Sequence, residues 1–466
     1  MSRFRTRGLV AVIVTSPLLW QVAVFATPPD WQPSLALGSL DGTAFSMVVF
    51  DGGDGDELVV GGSFVEAGGV PVNQIARWDG LAWNSLGEGV SSSVRALALL
   101  DVDGGGPGPT DLYAAGFFAS AGGMPANRVA RWDGATWSAL GAGTNGPVFS
   151  LATFDEDAGG PLGEALYIGG LFTTAGGVVS LANYVARWDG AAWSPLGDGT
   201  NTVVLALTTF DPDGPGAALP GLYAGGLFTM AGGEPAAHVA RWDGAWSALG
   251  DGIDGDVFTL VAFDEDGAGP QPAALFAGGN FLFTGDGAAS YIARWNGANW
   301  TPVGGGTNGP VQALAVFDDD GPGPNGAALY AAGDFGMAGG ASANNLARWN
   351  GGAWSALSGG VNDVASALGS FDENPGNLAP PLLFVGGDFN LADGQSANHI
   401  ARWGRVPADG DADADCDHDL DDLAALVPCI TGPLGVPAPC HVFDADNDSD
   451  VDLLDVAVFM AMFTGA

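Results

Sequence analysis

The tripeptide Ala-Arg-Trp recurs seven times, with its arginine at positions 77, 131, 187, 241, 294, 348 and 402. The intervals are 54, 56, 54, 53, 54 and 54 residues. A fixed period of this length means a chain assembled from one supersecondary unit, each copy burying its apolar face on the next. Every interval repeats four short apolar runs in the same order, as at 148–154, 166–170, 184–188 and 193–197. Four short strands per unit make a propeller blade, and the 77 glycines that punctuate the runs suit tight turns between strands. The predicted fold class is all-β, a seven-bladed β-propeller of four-stranded blades spanning residues 27–405.

An open solenoid also stacks repeats of this size. The chain ends decide between the two. The last unit stops at Ala401-Arg402-Trp403-Gly404 without a fourth strand, whereas an orphan fourth strand stands at 31–38, before the first unit. Trp31, Trp83, Trp137, Trp193, Trp246, Trp300 and Trp354 mark seven fourth strands for seven Ala-Arg-Trp strands. The N-terminal strand is therefore expected to close the last blade, leaving no sheet edge or apolar blade face unpaired.

A Gly-Gly doublet closes a strand in five units (Gly61-Gly62, Gly169-Gly170, Gly225-Gly226, Gly278-Gly279, Gly386-Gly387), followed in the first three by an aromatic-Asp-Gly turn and then a Trp. This order resembles Kelch repeats and the propeller of galactose-oxidase-like proteins. The Trp-Asp pair in Arg-Trp-Asp-Gly does not indicate WD40 repeats, whose period is shorter and whose Gly-His partner is missing. Residues found in every blade read as structural. The arginine pairs with an acid or with carbonyls, the tryptophans pack between blades, and the doublet permits positive φ and close backbone approach.

Acidic loops such as Asp155-Glu156-Asp157, Asp211-Pro212-Asp213-Gly214, Asp264-Glu265-Asp266-Gly267, Asp318-Asp319-Asp320-Gly321 and Asp372-Glu373-Asn374 join the first and second strands of their blades. Strand alternation places them on one face of the disc, as a solvated acidic surface or a site for calcium or a cationic partner. The hairpin at 172–177, the turn at 143–146 and their equivalents lie on the opposite face, where small polar residues form a shallow surface around the central channel.

Lysine is absent, and Arg3, Arg5 and Arg7 precede the apolar stretch 9–25 and the small-residue cleavage pattern Val24-Phe25-Ala26. Residues 1–26 are read as an export signal, with an N-terminal membrane anchor as the alternative. After cleavage ten cationic side chains remain against 53 acids. Nucleic acid, whose phosphates need Lys and Arg, is excluded as a partner, and a glycan, a cationic surface or an extracellular protein is favoured. The expected location is secreted, extracellular or at the cell surface, with no membrane span once the signal is removed.

A linker at 406–410 leads to two segments that align without a gap, each followed by an apolar helix-like run. The first carries Asp411, Asp413, Asp415, Asp417, Asp419 and Asp422; the second carries Asp444, Asp446, Asp448, Asp450, Asp452 and Asp455. Carboxylates at loop positions 1, 3, 5, 9 and 12, with a carbonyl from position 7, follow the alternation that wraps a hard cation. The position-6 glycine of such loops is replaced by Cys416 and Ser449, and position 12 is Asp in both. The short Asp and the single following helix resemble dockerin type I modules over about residues 409–466. The resemblance implies two calcium sites in a small α-helical EF-hand-like module and a cohesin-like partner. Leu420-Asp421 and Leu453-Leu454 lack the small hydroxyl residues of cohesin binders, so a calcium-stabilised terminal module is equally open. For an exported protein Cys429 and Cys440, which bracket a turn, are the favoured disulfide pair.

No cysteine lies in residues 27–405, which excludes a Tyr-Cys radical cofactor there, and only His238 and His399 occur in that span. A three-arginine carboxylate clamp would have only Arg95 and Arg128 outside the repeated motif and near the blades, before Arg405 at the end of the span. The sequence thus predicts a secreted binding or scaffolding protein with no recognisable catalytic constellation. The alternative is an extracellular glycoside hydrolase or lyase of a polysaccharide-degrading system, using carboxylates alone.

Overall fold

The computed structural model describes residues 29–405 except 33–36, 54, 102–109, 157–162, 178–181, 213–219, 268–271, 286, 320–325 and 374–379. The expected export signal, the linker, the calcium loops with their twelve aspartates, the helical module and the Cys429–Cys440 pair lie outside the described residues.

Seven four-stranded antiparallel sheets form the propeller. In the third blade the strands run Val148–Phe154, Ala165–Gly170, Val185–Trp188 and Trp193–Pro195, from the channel outward. The second strand of every blade is buried along almost its whole length, as in Ala165–Gly170, because it is covered by blades on both sides. Neighbouring blades share seven apolar clusters that alternate around the ring, such as Leu100, Tyr113, Val148, Leu166 and Ile168 between the second and third. Each blade thereby buries an apolar face it could not cover alone.

The seventh blade consists of Ala365–Phe371, Leu382–Gly387, Ile400–Gly404 and, as its outermost strand, Asp30–Gln32. Trp31 lies opposite Trp403, Asp30 opposite Gly404 and Gln32 opposite Arg402. The N-terminal strand thus closes the ring as the count of tryptophans requires. The described strand is shorter than the predicted 31–38.

A circle of hydrogen bonds runs through all seven joints. The fourth-strand tryptophan of each blade donates its indole N–H to a carbonyl just beyond the fourth strand of the preceding blade, at 2.6–3.3 Å. Trp31 reaches Leu357 O, and Trp83 reaches Leu37 O, so the N-terminal segment both gives and receives a link. Within the first six blades the third- and fourth-strand tryptophans pack at 5.1–5.5 Å between ring centroids, tilted by 46–55°. Tilted indoles at this separation are a favourable aromatic arrangement.

The Gly-Gly doublets act by close approach, without the positive φ expected of them; none appears among the positive-φ glycines. A Cβ on Gly61, Gly169 or Gly225 would fall 2.5 Å from Val94, Val204 or Val257 of the next blade. On the second glycine, as at Gly62, Gly170 or Gly279, it would lie 2.0–2.3 Å from a carbonyl oxygen of its own blade. The doublet is therefore the slot into which the next blade's valine fits.

Candidate ligand site at the mouth of the channel

The seven motif arginines are committed to structure. Arg77 pairs with Glu57 at 2.8 Å, Arg131 with Asp111 at 2.6 Å, Arg294 with Glu265 at 2.8 Å and Arg348 with Asp319 at 3.6 Å. Arg241 pairs with Asp243 and Arg402 with Glu373, while Arg187 donates to the Tyr167 hydroxyl. Burial and the neighbouring Asp111 push the Tyr113 phenol up to about 12, against the opposing pull of Arg131.

Part of the acidic face is structural as well. Glu156, Glu265 and Glu373 turn back from their loops and each accepts the indole N–H of a third-strand tryptophan in the following blade, Trp242, Trp349 and Trp78, at 2.7–2.9 Å. The middle carboxylate of these loops therefore ties two blades together. Among the described residues no group of three His, Cys, Asp or Glu side chains is placed to hold a metal ion.

On the opposite face, the residue at one repeated position accepts two successive backbone N–H groups of the hairpin in its own blade. Asn145 Oδ1 takes those of Thr173 and Thr174 at 2.9 and 3.0 Å, and Asp41, Ser91, Asn201, Asp254, Asn308 and Asn362 do the same elsewhere. The small polar residues of the 143–146 turn and its equivalents are thus staples for the hairpins.

The residue before each third strand is left-handed with φ of 66–74°: Gln74, Arg128, Tyr184, His238, Tyr291, Asn345 and His399. Such backbone costs about 1–2 kcal/mol in a non-glycine residue. Two ladder bonds hold it; Tyr184, for example, donates to Phe172 O and accepts from Gly170. His238 and His399 occupy this position in the fourth and seventh blades, their Nδ1 atoms 3.1 and 2.9 Å from the carbonyls of Gly226 and Gly387.

What varies from blade to blade gathers at the channel. In every first strand the pairing register skips one residue near its start. A bulge re-aims the extra side chain. The skipped residues are Phe45, Arg95, Phe149, Leu205, Phe258, Gln312 and Ser366, all half-buried, each preceded by a buried Ala or Val that packs between blades. All seven, with Val364 and Asp388, line one cavity of about 400 Å³. A cavity to which every blade contributes lies on the propeller axis, at the hairpin face.

Arg95 is its cation. The guanidinium carbon stands 3.9 Å from the centroid of Phe45 and 5.7 Å from that of Phe117, within reach of a cation–π attraction. Its Nε is buried without a hydrogen-bond partner. Burial pulls this guanidinium below its ordinary range, opposed by the Asp388 carboxylate. Asp388 itself accepts a hydrogen bond from the Thr43 hydroxyl.

Sequence reasoning pointed to a shallow surface around the channel but not to these residues. The signal that marks them is a position that takes five residue types in seven repeats, Phe in three of them, immediately after one that is always Ala or Val.

No protein-family profile matches the chain, and no curated protein matches it. Solved structures that resemble it include the computationally designed Ika8 protein, with 14% identity, 79% of this chain and 99% of that one covered, and a TM-score of 0.40. BBS1N in complex with ARL6DN is also similar, with 9% identity, coverage of 82% and 96%, and a TM-score of 0.43.

Proposed function

We infer that this chain is an exported binding protein whose propeller is a rigid interaction platform and whose residues 411–466 form a calcium-dependent docking module. The observation that carries the reading is the division of labour among polar groups. Residues common to the blades are spent on holding the ring together, while the bulged residues, of five different types, converge on one cavity at the axis. An irregular set of side chains on a symmetric, rigid frame suits recognition, since little ordering entropy is lost on binding. The resemblance to Kelch-like propellers and to dockerin type I modules supports the same division between platform and tether.

In the terminal module, the twelve aspartates from Asp411 to Asp455 would hold two calcium ions, and their mutual repulsion without metal couples binding to folding. An extracellular protein, cohesin-like or otherwise, is the partner this module suits. The test is retention of the exported chain on immobilised polysaccharides and on a polycationic surface, in calcium and in chelator. The reading expects retention on one of them, and calcium titration with two sites lost on Asp413→Ala plus Asp446→Ala. Release of new reducing ends from the polysaccharide, or metal binding unchanged by those two substitutions, would overturn it.

A further inference from the structure

The geometry points to a carboxylate-binding site at the hairpin-face mouth of the channel, in which Arg95 pairs with the acid group of a small molecule whose apolar body lies against Phe45, Phe149, Leu205 and Phe258. This inference rests on the reading of the propeller as a binding platform and names its ligand.

Arg95 differs from every motif arginine. Those seven each have an acid or a tyrosine hydroxyl at hand, in a chain with 53 acidic residues. Among the described residues no carboxylate stands within ion-pair distance of Arg95; its buried Nε makes no hydrogen bond, which is equally true of the motif arginine Arg77, so the missing acid is what sets Arg95 apart. The fold nevertheless sets it on an aromatic ring at 3.9 Å, which leaves the edge of the guanidinium for an acceptor. A half-desolvated guanidinium without an acceptor is an unfavourable ground state that an incoming anion relieves.

The surroundings select the kind of anion. A carboxylate matches the planar fork of guanidinium with two parallel bonds. Asp388 on the same wall disfavours a second negative charge, which weighs against phosphate dianions and dicarboxylates. Three phenylalanines and a leucine offer no partner to a polar body but cover an apolar one, while Gln312 and Ser366 supply hydrogen-bonding groups on the remaining arc. The volume of about 400 Å³ is in the range of small-molecule sites.

The experiment is calorimetric titration of the purified full chain with 3-phenylpropionate, its amide and inorganic phosphate. The carboxylate should bind saturably, with the amide and phosphate each at least about tenfold weaker. Arg95→Met, which keeps the apolar stem, should weaken the carboxylate at least about tenfold with an unchanged melting curve. Asp388→Asn should tighten it several-fold by removing a like charge, and this second variant keeps the test decisive if Arg95→Met does not fold. Equal binding of the amide, tighter binding of phosphate, no saturation at millimolar carboxylate, or indifference to Asp388→Asn would each overturn the site. Retention of the chain on a polysaccharide or a polycation, together with failure here, would refute this site and leave the platform reading standing.

Discussion

Deletion of residues 29–40 takes three ladder pairs from the seventh blade, the Trp31 link to Leu357 O, and two leucines from the joint between the seventh and first blades. Leu37 and Leu40 are 0% and 2% exposed, packed in one cluster with Phe64, Trp78, Phe371 and Phe384. Full burial of a leucine contributes about 1.5–3 kcal/mol. The deletion also strands the buried indole N–H of Trp83, whose acceptor is Leu37 O, at a further cost of about 1–3 kcal/mol. The combined loss is about 4–9 kcal/mol, comparable with the whole net stability of a typical domain, about 5–15 kcal/mol. Scanning calorimetry of the mature chain should therefore show the propeller's cooperative transition lost or displaced far downward in the deletion. Leu37→Ala, which leaves the strand and its hydrogen bonds, should cost about 2–5 kcal/mol and retain a cooperative transition several degrees lower. A deletion variant that melts at the wild-type temperature with the wild-type enthalpy would refute the closure argument.

Glu373→Gln should destabilise by about 1.5–3 kcal/mol in denaturant titrations, because it takes a charge-assisted hydrogen bond from the half-buried Arg402 while Trp78 keeps an acceptor; an unchanged midpoint would show that the loop glutamates are not joints. The carboxyls of Asp133 and Asp189 are held below the ordinary range by the backbone N–H groups of Thr136 and Ala135 and of Ala192 and Ala191, respectively. A folded-state value below the unfolded one, about 3.9, stabilises above that pH and is lost as pH falls through the lowered value. Asp133→Asn with Asp189→Asn should flatten the dependence of melting temperature on pH below about 4, since Asn296 and Asn350 already fill this turn position in two other blades; parallel wild-type and variant profiles would contradict it. Gln74→Gly should raise stability by up to about 1 kcal/mol by relieving the left-handed strain at φ of 72°, and a lower midpoint would show that the side chain contributes more than the strain costs.

The ring was legible because its causes repeat. Seven copies of Ala-Arg-Trp and seven fourth-strand tryptophans fix blade number, and the missing and orphan strands at the two ends fix closure without any knowledge of packing. The site was less legible, for physical reasons. Nothing in the triplets Ala44-Phe45-Ser46 and Val94-Arg95-Ala96 says that pairing skips the middle residue, since a bulge is a property of two strands together. The acidic loops misled in part: Glu156, Glu265 and Glu373 look like the other acids of their loops in sequence, and only the arrival of a tryptophan from the following blade reveals their role. The doublets were traced to the right cause for half of their expected role, because close approach and positive φ both demand glycine and sequence alone cannot tell them apart.

The circle of indole links also sets an order of events in time. Six of its joints connect tryptophans to carbonyls about one blade away along the chain, as with Trp137 and Leu86, 51 residues apart. The seventh joins Trp31 to Leu357 O across 326 residues. Bringing such distant ends together costs about 1.7 kcal/mol more than a neighbouring joint in chain entropy alone, and the reward comes only when every blade between them is in place. Closure is therefore the last step of folding, and an emerging polypeptide has to keep its first strand waiting until its last blade exists. A propeller of this design closes only after its last blade has been made, with both the slowness and the transient exposure of strand edges that long-range β pairing brings.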